Sequence, residues 1–182
     1  SRPIRLQLFR PDYAMAERIQ RSINDRFSST IYVHSKDGKQ FKAANSISRA
    51  MIDLNVPAEY EKDYEHYLKL VLHLPVHYGQ GGPEAFALKI AEEMKLPQAN
   101  CEELALILEA MGQDIVEEIQ KLYTFRNSAT SFYAARAGMR LGDSLATEPI
   151  LRFAKTTDSP FQIPAIEELG RRFKGRIAFW GE

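Results

Sequence analysis

FYAARAGMRLGDSLATEPILRFAKTTDSPFQIPAIEELG, residues 132–170, carries the pattern that decides how this chain folds. Ala134, Ala135, Ala137 and Gly138 make one helical segment small enough for a neighbouring helix to approach closely. That segment closes at Leu141-Gly142, where glycine permits a left-handed cap, and Asp143 or Ser144 then caps the next helix. Pro149 and Pro164 fall in or near first turns, where a missing amide costs least. The pattern predicts helices over residues 131–141, 144–155 and 160–173, joined by short polar links as in antiparallel pairs.

Moving outward, the corner recurs. Met111-Gly112, Leu141-Gly142 and Leu169-Gly170 each read as the close of a helix, 30 and then 28 residues apart, a period typical of stacked supersecondary units. Asp114 stands after the first corner as Asp143 stands after the second, each placed to cap the succeeding helix. Upstream, Asn100 and Glu103 occupy capping-box positions for a helix over 100–111, and a further helix is expected over 114–123. Pro83, at the first position of a helix over 83–95, comes after the Gly-rich stretch Gly79-Gln80-Gly81-Gly82, which reads as a linker. That stretch lacks the Gly-Lys-Ser/Thr ending of a phosphate-cradling loop.

Before the linker both periods appear. Ile4, Leu6 and Leu8 alternate with Arg5 and Gln7 in an opening strand. Pro11-Asp12 starts a helix over 13–27, in which Met15, Ile19, Ile23 and Phe27 recur every four residues beside Ala16. Thr30 to His34 reads as a β-branched strand ending at a hairpin signal, Lys36-Asp37-Gly38-Lys39, and residues 50–56 as another strand closed by Pro57. A second helix over 61–73 shows a stripe of Tyr60, Tyr64, Tyr67, Leu68, Val71 and Leu72. The expected organisation is an α/β domain over 1–78, the linker 79–82 and an all-helical domain over 83–182.

With 182 residues the chain affords a core without disulfides or structural metal, and its single cysteine, Cys101, leaves the compartment open. No apolar run approaches the ~20 residues of a membrane-spanning helix. The strand-like opening leaves no room for a leader, so a mature or excised fragment is expected. Net charge is zero, but residues 1–81 carry 12 Lys and Arg against 9 Asp and Glu, residues 82–125 carry 3 against 9, and residues 126–182 carry 9 against 6. Such alternation suits docking between copies or protein partners and argues against a dedicated nucleic-acid surface.

Residues 132–170 resemble HEAT-like repeats, in which an Ala-rich helix ends in Leu-Gly-Asp and an antiparallel partner carries an apolar Pro-x-Leu stretch. The likeness extends more loosely over about residues 100–173 and implies a scaffold. LQLFRPDYAMAERIQRSINDRF (6–27), MIDLNVPAEY (51–60) and YLKLVLHLPV (67–76) resemble, in order, segments of the bacterial flagellar P-ring protein. That second resemblance, over about residues 6–76, implies a periplasmic ring-building subunit around the flagellar rod, without catalytic chemistry or cofactor. The fold class expected is α+β: a small α/β sandwich-type N-terminal domain and an all-α HEAT-like hairpin array. The function expected is a non-enzymatic structural or assembly module working with protein partners or copies of itself, with oligomers formed by the parent protein. The alternatives are a cytoplasmic HEAT-like adaptor and, more remotely, a HEAT-like enzyme such as a bilin lyase.

No residue set reads as catalytic, cofactor-binding or metal-ligating. His66 and His73 are seven apart, Pro75 interrupts the approach to His77, and no acid joins them at ligand spacing; His34 stands apart. Cys101 lies in a helix's first turn, but Glu102 and Glu103 oppose a thiolate. Glu92-Glu93, Glu102-Glu103 and Glu117-Glu118 read as solvated faces. The candidate partner surface is Tyr123, Phe125, Arg126, Phe132, Tyr133, Arg136 and Arg140, residue types enriched at interaction hot spots. Its competitor is a core role for the aromatics, with the arginines paired to Glu117 or Glu118.

Overall fold

Residues 4–28 and 41–177 are described in the computed structural model, which divides into two units, Ser1–His77 and Tyr78–Glu182. The class is α+β: the chain is mostly helical, with one small antiparallel sheet.

In the first unit, alternation at Ile4, Arg5, Leu6 and Gln7 makes strand β1 (Ile4–Gln7). Helix α1 (Tyr13–Phe27) comes next, and the Asp12 carboxylate accepts hydrogen bonds from the Ala14 and Met15 amides at 2.8 and 3.2 Å, satisfying two donors the helix leaves orphaned. Strands β2 (Ala44–Ser48) and β3 (Met51–Leu54) form a hairpin, and the sheet order is β1-β3-β2, antiparallel throughout. Helix α1 packs against β2 and β3 through Ala16, Ile23 and Phe27, while Met15 turns outward. A 3₁₀ turn (Ala58–Tyr60) leads to α2 (Tyr64–His73), where Tyr67 packs edge-on against Phe27 with ring centroids 5.2 Å apart.

Two expectations for this unit are revised, and a third falls outside the described residues. The strand preceding β3 is 44–48, whose sequence ANSIS has little β propensity; it is held by side chains of α1. The Asn24 amide donates to the Ala44 carbonyl and its oxygen accepts from the Ala44 amide, both at 2.9 Å, while the Gln20 oxygen accepts from the Ser46 amide. The strand expected over 30–34 and the turn over 36–39 lie outside the described residues. In α2 the buried face is Tyr67, Leu70 and Val71, whereas Tyr64 and Leu72 are exposed, so the expected stripe is rotated.

The second unit is helical. Gly79, Gly81 and Gly82 all have positive φ, and α3 (Gly82–Glu93) begins at the last of them, with Pro83 in its first turn. Then come α4 (Cys101–Met111), a 3₁₀ turn (Gln113–Ile115) into α5 (Val116–Gln120), α6 (Ser128–Arg140), another 3₁₀ turn (Ser144–Ala146) into α7 (Thr147–Lys155), and α8 (Gln162–Ile177). Packing runs α3 on α4, α4 on α6, α6 on α7 and α7 on α8. Helix α6 is central, with Phe132, Ala134, Ala135 and Ala137 all buried. The Asn100 oxygen accepts from the Glu103 amide and its amide donates to the Glu103 carboxylate, a local variant of the capping box.

Of the three expected corners, two exist. Gly112 and Gly142 close α4 and α6 with φ of 101° and 89°. Gly170 lies inside α8, so Leu169-Gly170 closes nothing. The chain after Gly142 offers Asp143, whose carboxylate caps Leu145; after Gly170 it offers Arg171-Arg172, good helix formers with no cap. Asp114 likewise sits within the 3₁₀ turn and makes no cap.

Candidate interaction surface

The seven residues expected to form one surface are divided between core, clamps and rim. Tyr123 lies just after α5 and is buried, its ring against the bare Cα of Gly138 and its hydroxyl donating to Asp143 Oδ2 at 2.7 Å. Gln120 donates to the same oxygen at 3.0 Å, while Asp143 Oδ1 caps the Leu145 amide. Burial pushes the Tyr123 phenol up, and the hydrogen bond and charge of Asp143 push it further. Burial works to raise the Asp143 carboxyl, but hydrogen bonds from Tyr123, Leu145 and Gln120 together with the Arg172 charge outweigh it and hold the group below its ordinary range.

Phe132 is 1% exposed, stacked on Phe161 at 4.6 Å and edge-on to Phe153 at 5.4 Å. Tyr123 and Phe132 are therefore core residues, which corrects their assignment to a surface. Tyr133 is half-buried; burial and the Glu102 charge raise its phenol against the opposing effect of Arg136. Arg136 lies 4.8 Å over the Tyr133 ring and donates to Glu102 at 3.0 Å.

Arg140 makes a two-pronged contact with Glu168 at 3.0 and 2.8 Å, and its guanidinium stands 4.0 Å from Glu109. Both carboxylates are nearly buried, Glu109 at 5% and Glu168 at 6% exposure, so the guanidinium offsets charge that would otherwise be strongly disfavoured. The arginine partners are thus Glu102, Glu109 and Glu168 rather than Glu117 or Glu118; Glu118 binds Lys121 at 2.7 Å. Phe125 and Arg126 remain at the surface, half-buried and exposed. Phe125 lines a cleft of about 290 Å³ with Thr124, Ser131, Arg152, Phe153 and Thr156.

The other polar candidates have structural partners. Cys101 is 5% exposed, its sulfur 3.6 Å from the Met94 carbonyl and 3.5 Å from the Thr130 hydroxyl, which itself donates to Met94 at 2.7 Å. His73 Nδ1 lies 2.7 Å from the Lys69 carbonyl, His66 is half-buried and His77 exposed, while His34 falls outside the described residues. Among the described residues, no three His, Cys, Asp or Glu side chains converge on a metal position.

A common geometry links these contacts. Gln113 donates to the Leu141 carbonyl across 28 positions, Arg140 to Glu168 across 28, Arg136 to Glu102 across 34 and Thr130 to Met94 across 36. Each ties together segments of the helical unit that lie about 30 positions apart in the chain. Comparison with protein-family models, curated proteins and solved structures finds no match for this chain.

Sequence reasoning missed Glu109, Gln113, Glu168 and Arg172 as clamps, and Arg152, Phe153 and Thr156 as cleft residues. Glu109 carried a signal, being the one acid in the apolar run LALILEAM. The spacing of Arg140 and Glu168 carried another, since it equals the distance between the last two Leu-Gly pairs.

Proposed function

We propose that this chain is a non-catalytic structural or assembly module whose helical unit is a HEAT-like scaffold for protein partners. The observation that carries this reading is the set of side-chain ties spanning 28 to 36 positions, which commit the unit's polar groups to joining one helical layer to the next. A reactive centre needs polar groups left available to a substrate, whereas Cys101, Thr130, Arg140 and Asp143 are engaged in packing.

The resemblance of residues 6–76 to the flagellar P-ring protein supports a periplasmic, ring-building role, with copies of the chain as partners. A ring demands a large symmetric assembly. Sedimentation of the intact natural protein from its own cells is expected to give one, fractionating with the envelope. A monomer at every concentration overturns the ring reading.

The adaptor reading rests on the cleft bounded by Phe125 and Phe153, where aromatic walls meet the guanidinium of Arg152. Loss of a co-purifying partner on Phe125→Ala, with assembly unaffected, favours it. In either reading no helix among the described residues is long and apolar enough to cross a membrane.

A further inference from the structure

The two edges of the small sheet differ. Along β2 the outward main-chain groups are occupied: Ala44 exchanges two hydrogen bonds with the Asn24 side chain, and the Ser46 amide is held by Gln20. Helix α1 thus stands where another strand would pair. Along β1 the ladder runs Ile4 opposite Leu54, Leu6 opposite Ile52, and onward to Leu8, whose amide donates to the Ala50 carbonyl at 2.8 Å. Main-chain direction alternates residue by residue in an antiparallel pair, so Ile4, Leu6 and Leu8 face β3 while Arg5 and Gln7 direct their N–H and C=O groups away from the sheet. Among the described residues no hydrogen bond reaches them.

Three features make this edge receptive to an added strand. Helix α1 lies chiefly against β2 and β3, leaving Ile4 and Leu6 half-buried at the rim. Arg5, the charged residue that would ordinarily discourage pairing, is bound through Nε to Asp53 on the central strand at 2.7 Å. Just past the strand, Phe9 is fully exposed and Tyr13 is 67% exposed.

We propose that β1 pairs antiparallel with β1 of a second copy of this chain, about a two-fold axis at Leu6, and that this pairing stops at a dimer. This deepens the structural-module reading, on which it rests for naming a copy of the chain as the partner. In that register Arg5 and Gln7 of the second copy exchange both main-chain hydrogen bonds, and symmetry repeats the pair. Leu6 faces Leu6, and Ile4 faces Leu8, continuing the apolar side. On the other side each Arg5 meets a neutral Gln7 rather than a second guanidinium, so like charges never stand opposite. The sequence around β1 is therefore self-complementary in this register. Because the β2 edge is closed by Asn24 and Gln20, sheet extension cannot continue head to tail, and the isologous pair is its end point. Larger assembly, ring included, then requires a separate surface.

The test uses the full chain. Sedimentation across a concentration series is expected to show a monomer–dimer equilibrium with no larger species, and hydrogen exchange should slow at the Arg5 and Gln7 amides only as dimer accumulates. Gln7 is exposed, so its substitution leaves the fold intact. Gln7→Arg sets guanidinium against guanidinium across the axis and Gln7→Glu sets carboxylate against guanidinium. Their dimer midpoints should move in opposite directions, separating by about tenfold over the two symmetry-related pairs.

A chain monomeric at all concentrations, a dimer indifferent to both substitutions, or a distribution running past the dimer overturns the proposal. So does slow exchange of both amides in the monomer, which puts another segment of the same chain on the edge. A monomeric chain whose intact protein still assembles sinks edge pairing alone, whereas a dimer whose intact protein never forms large oligomers sinks the ring reading alone.

Discussion

Gly138 shows how one absent side chain positions a buried hydroxyl. A Cβ there would coincide with the Tyr123 oxygen and crowd the ring carbon that bears it. Tyr123 cannot swing aside without leaving Asp143, its partner at 2.7 Å. Gly138→Ala is therefore expected to destabilise the helical unit by about 2–3 kcal/mol, measured by denaturant unfolding. Tyr123→Phe should recover part of that loss in the double variant while costing stability alone, since it removes the nearest clashing atom but also a hydrogen bond. Asp143 gives a pH-dependent counterpart. Its folded carboxyl is held below the ordinary range, so its contribution is present above the unfolded value near pH 4 and disappears as pH falls through the lowered folded value. Asp143→Asn should lower stability at neutral pH and flatten the acid limb of the unfolding profile, so that the two proteins converge in acid. Parallel curves down to about pH 2 would contradict the assignment.

At the scale of elements, the helix corners carry the informative contrast. Gly142 closes α6 with φ of 89°, and the carbonyls around that end are met from both neighbouring layers: Gln113 donates to Leu141 at 2.7 Å, while Arg172 approaches Met139 and Asp143 at 3.4 Å. Gly170 sits within α8 with open space around its Cα. Alanine should therefore have opposite effects at the two positions. Gly142→Ala is expected to cost about 1 kcal/mol for a strained left-handed backbone, whereas Gly170→Ala should be stabilising by about 0.5–1 kcal/mol through helix propensity. Thermal unfolding monitored by far-ultraviolet circular dichroism reads both signs. The two Leu-Gly pairs look alike in sequence, and what distinguishes them is the tail: a capping aspartate after one, and helix formers after the other. In the same way β2 was hidden because Ala44, Asn45 and Ser46 have weak strand preference, and the groups that hold them, Gln20 and Asn24, belong to another element.

At the scale of the whole molecule, the helical unit has one continuous core, which joins residues from Ala87 to Ala165 around α6. Residues 78–182 expressed alone should thus unfold cooperatively with helical circular dichroism; a non-cooperative transition would show that this core is insufficient by itself. The start of α3 was legible because glycines leading into a proline suit a turn that opens a helix. Helix α1, its Asp12 cap and the helical series after Pro83 were legible for the same local reason: periodicity and capping act within a few residues. The candidate surface was not. Whether Phe132 or Tyr123 meets solvent, and whether Arg140 meets Glu118 or Glu168, depends on which helices become neighbours, and residue type is nearly silent about that. Sequence alone determined the helical periods, the glycine turn that opens α3 and the caps at Asp12, Asn100 and Asp143, because those energies are local. Tertiary structure alone decided that five of the seven surface candidates are core or clamp residues and that side chains of α1 close one sheet edge while no described residue pairs with the other, because burial and pairing arise between segments far apart in the chain.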